Sequence, residues 1–172
     1  MPDGMTTAIL GFVGVLAGGY VNNFIAVDYR RFRDAQGLAA ALAGELNSHL
    51  VQLAWIVTQM QNLTQYAGKE ISYATDYEIP GSPLFNANTT NIGLLGPDLA
   101  GRTAWTYDRL AAFRINWKLL IAHSNATKIM DGFLLDQSNN AVTAVLATGP
   151  RLVTDLKAFA SLSYRLKWPM IG

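Results

Sequence analysis

The sequence has no cysteine, which excludes disulfides, thiolate nucleophiles and cysteine-ligated zinc or iron–sulfur sites. Its two histidines, His49 and His123, leave few ways to build an imidazole-based centre. Charge of either sign is scarce: 15% of residues are charged and the formal net charge is +1. That balance lacks the basic excess of a nucleic-acid binder and the acidic excess of a solvating tail. Charge is scarcest at the start, where no Asp, Glu, Lys, Arg or His interrupts residues 4–27.

What fills that gap is apolar and glycine-rich. A helix over residues 4–27 would extend roughly 36 Å, enough to cross a hydrocarbon core of about 30 Å with some tilt. The alternative is a buried core helix over 8–27, because Asn22 and Asn23 make the span less apolar than a strong anchor. No Lys or Arg precedes Arg30 and no A-x-A-like cleavage site follows, so the segment reads as a retained anchor and not a signal peptide. Arg30, Arg31 and Arg33 flank it on the C-terminal side. By the positive-inside rule this places the N-terminus outside and the rest of the chain in the cytoplasm, at a bacterial inner membrane. Within the span, Thr7, Gly11, Gly14, Gly18 and Asn22 recur every three or four residues and share one helical face. Small residues allow close backbone approach between helices in lipid, and an amide can bond across, so the stripe reads as a helix–helix contact face; the plainer reading is glycine as filler.

The remaining residues, roughly 145, suffice for one domain of ordinary size. Leu42, Leu46, His49, Leu53, Ile56, Met60 and Leu63 alternate spacings of four and three, a heptad seam that ends where Gly68 can take a left-handed conformation. Residues 71–79 alternate with period two, the pattern of an extended segment lying over the helices or of a strand pairing with another subunit. Pro80-Gly81-Ser82-Pro83 predicts a turn, and Asn88 is a possible cap for a short helix over 89–95. Pro97 and Asp98 open a helix expected to reach about Ala122, with the seam Thr103, Thr106, Leu110, Phe113, Trp117 and Leu120 and an i,i+4 pair Asp98–Arg102. A polar link follows over 123–132, and then a helical region over 134–167. Gly149-Pro150 predicts a kink or restart there, with Thr148 as a cap and the seam Val145, Gly149, Leu152, Leu156, Phe159, Ser163 and Leu166. The whole predicts an all-α fold: an anchor over 1–29, then a domain over 30–172 forming an antiparallel three- to four-helix bundle with one extended connector, 68–97.

Catalytic signatures are missing: no G-x-S-x-G, no Walker loop, no His-Glu-x-x-His. Glu45 and His49 lie one helical turn apart, the only local carboxylate–imidazole unit on a seam. A metal site would need a second such unit, so the expected role is structural: a buried His49 bonded to Glu45 or to a polar residue on a facing helix, with Arg102, Arg109 or Arg114 balancing the carboxylate. No cofactor is expected. Asn62, Asn88 and Asn125 begin glycosylation sequons that a cytoplasmic placement would make irrelevant. Trp55, Trp105 and Trp117 suit bundle cores or groove edges, and Trp168 could alternatively return to the membrane surface.

The stretches Leu38-Ala-Ala-Ala-Leu-Ala-Gly-Glu45-Leu46 and Asn91-Ile-Gly-Leu-Leu-Gly-Pro97, with the aromatic helix that follows, resemble bacterial proteins that carry one membrane helix and a helical soluble domain. The resemblance implies a helical, membrane-anchored protein and carries over no activity and no site residues. The expected function is a non-enzymatic structural or accessory subunit. It would contact lipid and associate with itself or with other membrane subunits, without nucleic acid. Two alternatives are a signalling or defence module that senses a ligand or partner through the bundle, and an oligomeric pore lined by the small-residue stripe.

Overall fold

The computed structural model describes residues 4–70 and 79–165. The described residues are helical, without a strand: α1 spans Gly4–Thr64, α2 Pro83–Ala87, a 3₁₀ segment Thr89–Leu95, α3 Pro97–Thr127 and α4 Gly132–Ala160. Nothing divides the apolar stretch from the first seam, and Gly37 alone does not break the helix. Accordingly α1 is one long, bent helix of roughly 90 Å.

Only part of α1 is packed. Residues 4–20 stand clear of the rest of the chain, while Ala35, Leu38, Ala39, Leu42, Ala43, Leu46, Leu53, Ile56 and Met60 are buried. The six seam positions of α3 are buried, as are Val145, Gly149, Leu152 and Leu156 of α4. Leu63 and Phe159 are partly buried against this core, Ser163 is exposed, and Leu166 and Trp168 lie outside the described residues. α4 packs along both α1 and α3. It runs antiparallel to α1, since Gly132 at its start lies against Ala67 and Ala160 at its end meets Gln36. The turn at 128–131 makes α3 antiparallel to α4 as well, so α1 and α3 point the same way. The connector therefore carries the chain back along α1 before α3 starts, and the order is not a simple up-and-down one.

Local chemistry accounts for where the elements end. Gly68 takes φ 72°, and residues 67–70 bridge to 129–130 through the Gly68 N–H to the Met130 carbonyl and the Met130 N–H to that of Lys69. The alternating stretch lies outside the described residues up to position 78; Ile79 packs against the core. α3 continues past Ala122 because Ser124 is buried against Met130 and the Thr127 hydroxyl donates to the His123 carbonyl, so these polar residues are accommodated on the helix. Lys128, at φ 57°, closes it. Asp131 starts the next helix, its carboxylate accepting the Leu134 N–H at 3.1 Å. That bond, aided by His123 Nδ1 at 3.0 Å, holds the Asp131 carboxyl below the usual range.

The helix does not restart at Gly149-Pro150: α4 runs from Gly132 to Ala160 with Pro150 inside it. Proline disfavours a helical predecessor partly by clashing with that residue's Cβ, and Gly149 has none. The same bare position lets α1 approach, for a Cβ there would lie 2.6 Å from Leu50 Cδ2. Thr148 is no cap; its hydroxyl donates to the Ala144 carbonyl within the helix. Asn88 likewise makes no cap bond to the 3₁₀ segment, its amide donating back to the Leu84 carbonyl.

Candidate functional site: the polar junction and the uncovered helix

The connector meets the core helices at a polar junction built from α1, the turn before α2 and α3. It begins with an unfilled need. α2 has Pro83 at its first position and Ser82 as its N-terminal cap residue, whose side chain makes no capping bond. Pro83 has no N–H, leaving those of Leu84 and Phe85 to be satisfied. Glu45 satisfies them from another helix: one carboxylate oxygen accepts the Leu84 N–H at 2.8 Å, the other that of Phe85 at 3.0 Å.

Ser82, released from capping, is 2% exposed and sits between His49 Nε2 at 3.2 Å and Arg114 Nη2 at 2.6 Å. Arginine has only donors, so Ser82 Oγ accepts from Arg114, and the same oxygen shares a second hydrogen bond with His49 Nε2. Burial and the adjacent Arg114 both push the His49 pKa below its ordinary value, and the Glu45 carboxylate opposes them. Burial likewise lowers the pKa of Arg114, whose Nε is buried without a hydrogen-bond partner, while Glu45 works the other way. Phe85 stacks on Tyr107 of α3 with centroids 4.1 Å apart and planes 4° from parallel. The Tyr107 hydroxyl donates to the Leu42 carbonyl at 3.5 Å, and its pKa is raised by burial and then by Glu45.

Glu45 and His49 thus belong to one junction without bonding to each other. Of the three arginines weighed as partners for Glu45, Arg114 joins the junction. Arg102 instead bridges Asp98 at 2.7 Å and Asp155 at 2.6 Å, and Arg109 lies over the Trp105 ring. In the sequence Ser82 stands inside the Pro80–Pro83 turn, where nothing in the local pattern marks its hydroxyl except its place beside Pro83, a position whose capping role competes with other bonds. With Ser82 and His49 closed to solvent, the hydroxyl serves as a bridge locking the connector to α1 and α3. Among the described residues no group of three His, Asp or Glu side chains could hold a metal ion.

The depressed His49 pKa has a consequence for stability. Above about pH 6.5 the imidazole is neutral whether the chain is folded or not, and its stabilising contribution is complete. As pH falls below that value, the unfolded chain takes up a proton that the folded chain resists, so stability is lost until pH passes the lower folded-state value. The denaturation midpoint is expected to fall between about pH 7 and 5. A His49→Gln variant should show a flatter profile over that window; identical slopes would contradict the assignment.

The second feature is the uncovered part of α1. Gly11, Gly14 and Gly18 have open space where a Cβ would be, and Asn22 is exposed; the Thr7 side chain lies outside the described residues. Ile9, Leu10, Phe12, Val13, Val15 and Leu16 are exposed on the same segment. α1 includes a stretch long and apolar enough to cross a membrane. Arg30, Arg31 and Arg33 are exposed just beyond it. Comparisons with protein-family models, with curated proteins and with solved structures each find no match.

Proposed function

We propose that the protein is a single-pass membrane subunit: residues 1–29 anchor it, and residues 30–172 form a small helical bundle that acts as a structural or accessory module. The observation that carries this reading is the division within α1. One continuous helix presents an uncovered apolar segment at one end and the core seam of a packed domain at the other. Leaving that many large apolar side chains in water is costly, and lipid is the solvent that removes the cost. The excess of arginine at 30–33 favours a cytoplasmic domain and an outward N-terminus, in a bacterial inner membrane. The mutually engaged polar groups of the junction, with Ser82 and His49 buried and Glu45 and Arg114 half-buried, suit a scaffold more than a reaction centre.

The stripe of Gly11, Gly14 and Gly18 supplies the face through which the anchor associates with a second copy or another membrane helix. Its test is direct, because a Cβ added at Gly14 or Gly18 has open space around it, with nothing within 4 Å. The Gly14→Leu/Gly18→Leu variant is expected to elute from mild detergent as a smaller assembly than the parent, by size exclusion with light scattering, with its unfolding midpoint unchanged. An unchanged assembly size would make the glycines filler and remove the association from the proposal.

A further inference from the structure

We infer that the junction of α1 with the C-terminal end of the described chain is a collar that binds the headgroups of anionic phospholipids. The inference deepens the membrane reading above and rests on it. Its starting point is a contact far apart in sequence. The Tyr164 hydroxyl donates to Asp28 Oδ2 at 2.8 Å, and its ring lies against Tyr29 at 5.1 Å and Phe32 at 5.4 Å. One turn further along, the buried Gln36 amide donates to the carbonyls of Ala160 and Leu162 at 2.9 and 2.6 Å, satisfying the end of α4. These bonds hold residues 160–165 against α1, next to the end of the apolar segment.

Helical geometry then distributes the charge. At about 100° per residue, Asp28, Tyr29 and Phe32 share the flank covered by Tyr164, whereas Arg30, Arg31 and Arg33 fan over the opposite arc. Arg165, which follows Tyr164, is brought to the covered flank. All four arginines are exposed, and among the described residues none makes an ion pair. Of the two carboxylates on this part of α1, Asp28 is occupied by the tyrosine hydroxyl, and Asp34, exposed directly after Arg33 on the arginine arc, offsets one of the four positive charges and leaves the collar net cationic. Cationic side chains therefore surround the helix at the depth where lipid phosphates lie, and the aromatic rings of Tyr29, Phe32 and Tyr164 suit the same interfacial layer. Guanidinium forks match phosphate oxygens in geometry and charge, and an anionic bilayer surface concentrates such partners.

The experiment uses the full chain in mild detergent, with thermal unfolding followed as phosphatidylglycerol, phosphatidylcholine or inorganic phosphate is added. Phosphatidylglycerol is expected to raise the midpoint by several degrees, the other two hardly at all. The Arg30→Gln/Arg31→Gln/Arg33→Gln/Arg165→Gln variant should lose that response while keeping its midpoint in phosphatidylcholine. Arg165→Gln alone should lose part of it, as should Tyr164→Phe, which frees the segment bearing Arg165. Equal responses to the two lipids, a full response in the fourfold variant, or an equal response to inorganic phosphate would each overturn the collar. The anchor is read separately, by resistance of the membrane-bound chain to alkaline carbonate. A chain that washes off yet keeps the phosphatidylglycerol response refutes the anchor alone, and a retained chain without that response refutes the collar alone.

Discussion

Replacing Glu45 by alanine is expected to cost about 1–2 kcal/mol of stability, measured by chemical denaturation of the full chain in mild detergent. The magnitude follows from what the carboxylate does. It accepts both available backbone N–H groups in the first turn of α2, at 2.8 and 3.0 Å. It is also the anion that opposes the burial of Arg114. Its removal takes the acceptor from the part-buried Phe85 N–H, whereas the exposed Leu84 N–H can turn to water, and it leaves a half-buried guanidinium without that balance. A double-mutant cycle separates the two contributions. Arg114→Met in the Glu45→Ala background should cost less than in the parent, because the charge left behind is then absent. Strict additivity would show that Glu45 acts only as a cap for α2; a loss below about 0.5 kcal/mol would show that α2 needs no cap, since surface substitutions lie in that range.

The seams were legible because periodicity is local. Leu42, Leu46 and Leu53 declare a face through spacings of three and four, and burial follows whichever helix covers that face. The partner of Glu45 was not legible, since the groups it satisfies lie in a turn almost forty positions away and are backbone N–H groups without a residue signature. Gln36 was hidden for a related reason. It lies beside the backward extension of the first seam through Ala39 and Ala35, but the carbonyls its amide meets belong to the last turn of α4 and the residues after it. At Gly149-Pro150 two local rules competed. Proline argued for a break, while the missing Cβ of Gly149 permitted continuity, and only the approach of Leu50 shows the further reason for glycine there. The parallel course of α1 and α3 was illegible for a topological reason: a heptad pattern reports which face is buried and says nothing of direction, which the connector's return path decides.

The second large effect is expected at Phe113, which is fully buried on α3. Phe113→Ala should cost about 3–5 kcal/mol, the sum of lost transfer free energy and the cavity that a packed core cannot close. Against a total of about 5–15 kcal/mol for an ordinary domain, this should lower the thermal midpoint by roughly 10 °C. Tryptophan fluorescence reports it directly, because Phe113 packs at 6.1 Å from Trp117. The informative comparison is with membrane attachment. The first residues of α1 make no part of the core, so the destabilised variant should still fractionate with membranes through alkaline wash. A loss below about 1 kcal/mol would mean that the core does not depend on α3. A variant that unfolds and also leaves the membrane would mean that the anchor holds only when the domain is assembled. Stability of the domain and residence in the bilayer are otherwise set by two ends of one helix, and a single core substitution should move the first while leaving the second in place.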